Sequence, residues 1–197
     1  MLLDEIGEKY RKLDKELNPW IGSKYEHIRN AGTDITGKIG EEFIYNLLVK
    51  SLLEYSVIWD GDNNISQEDG VYDIKIISVL YSFILRLEVK TATMGKNGSF
   101  QHEKILGKKF CDKILFLDIT PNGFYITILN VEEIDYSGNE KCLLGRTLHI
   151  RSNGEQTKLD FGPKTIENGL KLNKTIYITD ENDQTKILSQ FLIKNLI

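Results

Sequence analysis

The chain has 197 residues, of which 41% are hydrophobic and 27% charged, and its net charge is −4. That balance belongs to a globular protein with room for one well-packed domain, and it excludes a disordered chain. No run approaches the ~20 consecutive apolar residues of a membrane helix, and acids stand too early in "MLLDEIGEKYRKL" for a signal peptide. The expectation is one domain over residues 1–197, with no membrane partner and a cytoplasmic location.

In chain order, Leu2, Leu3, Ile6, Tyr10 and Leu13 recur at helical intervals as far as Asn18-Pro19, where proline turns the preceding residue away from helix. A short second helix is expected in "WIGSKYEHIRNAG", closed by Gly32. Thr33-Asp34 then offers an N-cap for the most regular helix, "ITGKIGEEFIYNLLVKSLL". Within it Ile35, Ile39, Phe43 and Leu47 recur every four residues, with Ile44 and Leu48 widening the stripe. Gly37 and Gly40 weaken such a helix by about 1 kcal/mol each relative to alanine, which points to close approach of another backbone.

"YSVIWDG", "VYDIKIISV" and "SFILRLEVKTA" read as strands, the first followed by the acidic turn "DNNISQEDG". After the loop "MGKNGS", a helix is expected over "FQHEKILGKKF". "KILFLDI" and "FYITILN" are strands joined by Thr120-Pro121-Asn122-Gly123, a hairpin signal. Beyond residue 131, "RTLHIRS" and "KTIYITD" read as strands, "GPKTIENGL" as a turn or short helix, and "DQTKILSQFLIKNL" as a closing helix. The order implies an α/β fold with a mixed central β-sheet flanked by helices.

Cys111 and Cys142 lack zinc-site spacing and are expected as free thiols. His27, His102 and His149 are scattered, so any metal chemistry must come from carboxylates. Residues 1–140 hold 16 Lys/Arg against 23 Asp/Glu, and residues 141–197 hold 9 against 6. An acidic body with a basic C-terminal part suits a nuclease with clustered acids and a separate DNA-contacting surface.

The chemistry-bearing pair is Asp73 near the start of one strand and Glu88-x-Lys90 near the end of the next. Side chains alternate along a strand, so Glu88 and Lys90 share a face, together with Arg86, to which no role falls. If the two strands pair as a hairpin, Asp73, Glu88 and Lys90 converge at one end of the sheet. Two oxygen donors brought together favour a hard divalent cation, Mg²⁺ above all, because paired acids without an ion repel. A neighbouring lysine can orient water or stabilise charge on a phosphate under attack. Asp60-Gly61-Asp62 and Glu68-Asp69 are competing acids in turns, and Asp73-Ile74-Lys75 mimics the acid-x-lysine pattern without a paired upstream acid.

The series "GKIGEEFIYNLL", "DGVYDIKI" and "RLEVKTA" resembles the core of the PD-(D/E)XK nuclease superfamily, over roughly residues 33–130. One departure is Tyr72 in place of the motif's proline. The resemblance implies a restriction-endonuclease-like core, with an acid on the helix before the sheet: Glu41, or Glu42 as the fallback. Glu41, Asp73 and Glu88 would be the metal ligands, and Lys90 the residue that assists water.

The stretch "KTATMGKNGSFQHEKI", with "CDKILFLDITPNGFYITI" after it, looks like the downstream part of some prokaryotic type II restriction endonucleases. That likeness implies Gln101 and His102 near the DNA. Lys96 and Lys104 are candidate phosphate contacts, in a stretch made basic by Lys108 and Lys109 as well. Arg146, His149, Arg151 and Lys158, with Lys164, are candidates for reading or holding DNA from residues 131–197, expected as a recognition or dimerisation extension. The implied protein is a cytoplasmic, prokaryotic Mg²⁺-dependent endodeoxyribonuclease acting on double-stranded DNA as a homodimer. The alternatives are a structure-selective nuclease, such as a junction resolvase or repair enzyme, and a catalytically silent DNA-binding domain.

Overall fold

Strand β3 (Phe83–Thr93), eleven residues long, is the axis on which the rest of the fold is hung. The fold is that of a computed structural model, which describes residues 4–9, 12, 18–59, 72–78, 80–105, 111–150, 157–180 and 184–197. Before β3 come helices α1 (Glu26–Arg29) and α2 (Thr33–Ser51) and strands β1 (Ser56–Trp59) and β2 (Ile74–Ser78). After it come β4 (Phe100–Glu103), β5 (Lys113–Thr120), β6 (Gly123–Asn130), β7 (His149–Ile150) and β8 (Thr157–Phe161). Helix α3 (Pro163–Lys171), β9 (Thr175–Ile178) and helix α4 (Thr185–Leu196) complete the chain.

Six strands form the central sheet in the order β1-β2-β3-β5-β6-β9. Only β3 and β5 run parallel; the other neighbours are antiparallel, so the sheet is mixed. The β2–β3 pairing is the expected hairpin, with Ile74 opposite Leu87 and Lys75 opposite Arg86. Thr120 pairs with Gly123 across the Pro121-Asn122 turn, as the hairpin signal implied.

Alternation along the strands divides the apolar residues between two cores. Leu85, Leu87 and Val89 of β3, with Leu115, Leu117 and Ile119 of β5, face α2 and α4 through Ile44, Leu48, Leu188 and Leu192. The opposite face, with Ala92, Ile114 and Phe116, is covered by a second sheet of order β4-β8-β7 together with α3, through Phe100, Leu159, Phe161 and Ile166. The helix expected over "FQHEKILGKKF" is therefore corrected at its start, where Phe100–Glu103 form a strand whose alternate residues are buried; residues 106–110 lie outside the described residues. A long strand partner overrides helical spacing here, with Phe100 opposite Phe161 and His102 opposite Leu159.

Two further expectations change on α2. Thr33 already lies within the helix, and Gly32 at φ 82° is its N-cap residue, with no side-chain cap. The buried stripe is Thr36, Gly40, Ile44, Leu47 and Leu48, while Ile35 is 56% exposed. The close approach inferred from glycine occurs at Gly40 alone, against a side chain rather than a backbone: a Cβ there would overlap the Thr91 side chain, whereas Gly37 faces open space. Gly40→Ala is expected to destabilise the protein by about 1–3 kcal/mol despite the gain in helix propensity, because β-branched Thr91 has little freedom to move. Thermal denaturation reads this, and Thr91→Ala in the same background should recover part of the loss.

Among the described residues no helix is long and apolar enough to cross a membrane.

Candidate active site

β2 begins at Ile74, so beyond Leu87 strand β3 has lost its β2 neighbour and pairs with β5 alone. Asp73 closes that exposed ladder. Its backbone N–H donates to the Leu87 carbonyl at 3.0 Å, and its Oδ2 accepts the Val89 N–H at 2.7 Å. The carboxylate is thus held beside Glu88 at the point where the sheet stops. Glu88 is 6% exposed, and the Lys90 Nζ lies 2.5 Å from its Oε1. The convergence of Asp73, Glu88 and Lys90 follows from hairpin register and strand alternation together.

Burial pushes the Asp73 carboxyl up to about 8, helped by the charges of Glu88 and Glu41, while the Val89 N–H and Lys90 oppose the rise. Glu41, half-buried on α2, is raised as well, first by burial; Glu88 adds to the rise, and Lys90 opposes it. The buried Trp59 indole N–H sits close enough to favour the charged form of Glu41, without the geometry of a full hydrogen bond. Trp59 is stacked on Tyr45 of the same helix at 5.7 Å, which packs the middle of α2 against β1. Glu42 is exposed and one position round the helix. Of the two, Glu41 is the one whose carboxyl feels the charges of Glu88 and Lys90.

Behind Glu88 the site has an apolar wall. Cys111 is buried and its thiol is pushed up to about 12, by burial first and then by Glu88 and Asp112. A thiol so far from ionisation is no nucleophile. The Tyr136 hydroxyl is likewise raised by burial. Arg86 lies on the same face as Glu88 and Lys90, exposed, with Lys75 opposite it on β2. Its backbone N–H donates to Asp112 Oδ2 at 2.7 Å, tying β3 to the start of β5.

The donor set of Glu41, Asp73 and Glu88 is all oxygen, the chemistry a hard divalent cation takes. Lys90 is the cation beside these acids, and the Asp73 carboxyl is raised by burial first and by the charges of Glu88 and Glu41 after it. In this arrangement Glu88 is engaged by Lys90, and among the described residues no three His, Cys, Asp or Glu side chains already stand at metal-holding spacing.

The remaining candidates lie elsewhere. His102 is corrected as a DNA contact: it is 2% exposed, wedged against Phe116 and Phe161, with Nε2 2.9 Å from Asp118 Oδ1. Gln101, its neighbour on β4, is exposed on the outer face of the second sheet, and Lys104 and Lys96 are exposed in the loops around that strand. Lys158 and His149 face each other across β8 and β7, Lys158 with Asp160 at 3.7 Å. Arg146 is exposed, its Nε donating to the Asp160 carbonyl at 2.9 Å. Arg151, Lys108, Lys109 and the competing acids Asp60, Asp62, Glu68 and Asp69 lie outside the described residues. Sequence reasoning missed Trp59, whose neighbours come from α2, and Asp118, whose partner comes from β4.

No protein-family model matches the chain, and comparison with curated proteins and with solved structures finds no match.

Proposed function

We propose that this chain is a Mg²⁺-dependent endodeoxyribonuclease that hydrolyses phosphodiester bonds in double-stranded DNA, of the type II restriction kind. The observation that carries the reading is the meeting of Asp73, Glu88, Lys90 and Glu41 where β3 loses its β2 neighbour. A helix, an antiparallel β1-β2-β3 meander and a parallel β5 support the likeness to a restriction-endonuclease-like core. Homodimerisation follows from the reading, because one catalytic cluster cuts one strand. So does a prokaryotic, cytoplasmic setting.

Asp73, Glu88 and Glu41 would hold Mg²⁺, which when bound supplies Lewis-acid stabilisation of the phosphate and a more acidic water. Asp73 is oriented for this by the Val89 N–H, which occupies Oδ2 and leaves Oδ1 to the site. Lys90 does two things: it holds Glu88 before substrate arrives, and it is positioned to orient the attacking water and stabilise charge on the phosphate. In-line attack then leaves a 5′-phosphate.

The test is incubation with plasmid, phage and synthetic four-way-junction DNA, in Mg²⁺ or in EDTA. Discrete fragments from linear duplex are the expected result. Cleavage of the junction alone would assign the site to a structure-selective nuclease, and absence of metal-dependent cleavage on every substrate would overturn the reading.

A further inference from the structure

Away from the catalytic cluster, the layer covering the Glu88 face carries a cavity of about 470 Å³ between the loop before β7 and the start of α3. Its lining includes the exposed cations Lys141, Arg146 and Lys164, with Asn168 and the buried Thr165 as polar neighbours. No carboxylate is among the described residues that line it, in a chain whose net charge is −4. Arg146 is braced through its Nε on the Asp160 carbonyl, which orders the guanidinium while leaving its terminal nitrogens for another acceptor. Asn168 donates to the Leu144 carbonyl at 3.1 Å and holds the two walls together.

We propose that this cavity is a phosphate-binding site that takes a backbone phosphodiester of duplex DNA. Glu167 on α3 offsets Lys164 in part, but with no carboxylate in the cavity wall the three cations repel there, and an anion seated among them relieves that repulsion. The volume falls within the range of a small-ligand pocket and is ample for a phosphate group. Position argues for a polymer rather than a free ion. The loop after β3 abuts the start of α3, since a Cβ on Gly98 would lie 3.7 Å from Pro163 Cγ. That loop carries exposed Lys96, six residues after Lys90. Six residues span at most about 20 Å, or about six base pairs of duplex at 3.4 Å each. Lys96 thus lies within a short stretch of duplex of Lys90, on the loop that abuts the cavity wall. The choice of DNA as carrier of the phosphate rests on the nuclease reading; the phosphate site itself does not.

The test is fluorescence anisotropy of a labelled 30-base-pair duplex in EDTA, where cleavage plays no part, over a range of salt concentration. Arg146→Gln with Lys164→Gln should weaken binding about tenfold or more and lower the slope of log affinity on log salt by about 1, the share of one phosphate. Unchanged duplex affinity and slope in this variant, folded by its melting curve, overturn the DNA assignment; if inorganic phosphate then also fails to distinguish wild type from variant, the site is overturned with it. If the double variant does not fold, Lys164→Glu, a single exposed change, is read by the same criteria. Inorganic phosphate is the control ligand: saturable binding to wild type but not to the variant, with duplex affinity equal in both, assigns the cavity to free phosphate and overturns the DNA assignment. A protein that never cleaves yet loses duplex binding in the variant keeps this site while losing the nuclease reading. One that cleaves normally with the cavity neutralised, at unchanged affinity, does the reverse.

Discussion

On the nuclease reading, Asp73→Asn is expected to lower Mg²⁺-dependent cleavage by at least about a hundredfold and at the same time to make the protein more stable. The loss of activity follows because an amide is a poor ligand for a hard cation. The gain in stability follows from proton linkage. Asp73 titrates near 3.8 in the unfolded chain but is pushed up to about 8 in the fold, so between those values the folded state holds the extra proton. Stability therefore falls as pH rises through that window. Asparagine keeps an oxygen to accept the Val89 N–H and carries no charge to bury. The expected advantage is small near pH 4 and at least about 1 kcal/mol at pH 8, a rise in Tm of roughly 2–4 °C. Melting curves at the two pH values check it; an advantage that does not grow with pH would remove Asp73 from the crowded cluster. Mg²⁺ should raise the Tm of wild type at pH 8 and leave the variant nearly unmoved. Lys90→Ala is expected to lose cleavage as well but to shift stability the other way, since it strips Glu88 of its cation at 2.5 Å. Opposite stability signs with a shared loss of activity distinguish this cluster from a merely structural one.

The second large effect lies between the two sheets. His102 on β4 and Asp118 on β5 meet at 2.9 Å with both side chains wholly buried, and burial raises the Asp118 carboxyl while His102 pulls it down. Phe116 and Phe161 stack around the imidazole at 4.8 and 5.2 Å, so water has no route to replace a lost partner. His102→Ala or Asp118→Ala is expected to cost about 3–5 kcal/mol, because each leaves the other polar group alone in an apolar core. Replacing both by apolar residues, His102→Phe with Asp118→Leu, should recover most of that loss. A double-mutant cycle by denaturant unfolding measures the coupling, and a cost below about 1 kcal/mol for either single change would show that the pair does not join the sheets.

The legible part of this protein is its local part. Hairpin pairing joins residues 15 apart, and alternation within "RLEVKTA" places Glu88 and Lys90 on one face, so their convergence with Asp73 needs nothing from farther along the chain. The hairpin of β5 and β6 and the closing helix α4 are equally local. The choice of Glu41 over Glu42 is not, because both flank the same stripe. Which one reaches the acids depends on how α2 rotates against β3, and the Gly40–Thr91 contact settles that rotation. "FQHE" carries no sign that it is a strand, because its partner "TKLDF" lies more than fifty residues away and has only Leu159 and Phe161 to mark it. His102 looks like an available histidine until Asp118, Phe116 and Phe161 close over it. Backbone spacing is a property of neighbouring residues and survives in the bare sequence; burial is set by whichever distant element covers a residue. For that reason the acid–lysine pair was readable in advance, and the fate of His102 and of the basic C-terminal residues emerged only when the second sheet was in place.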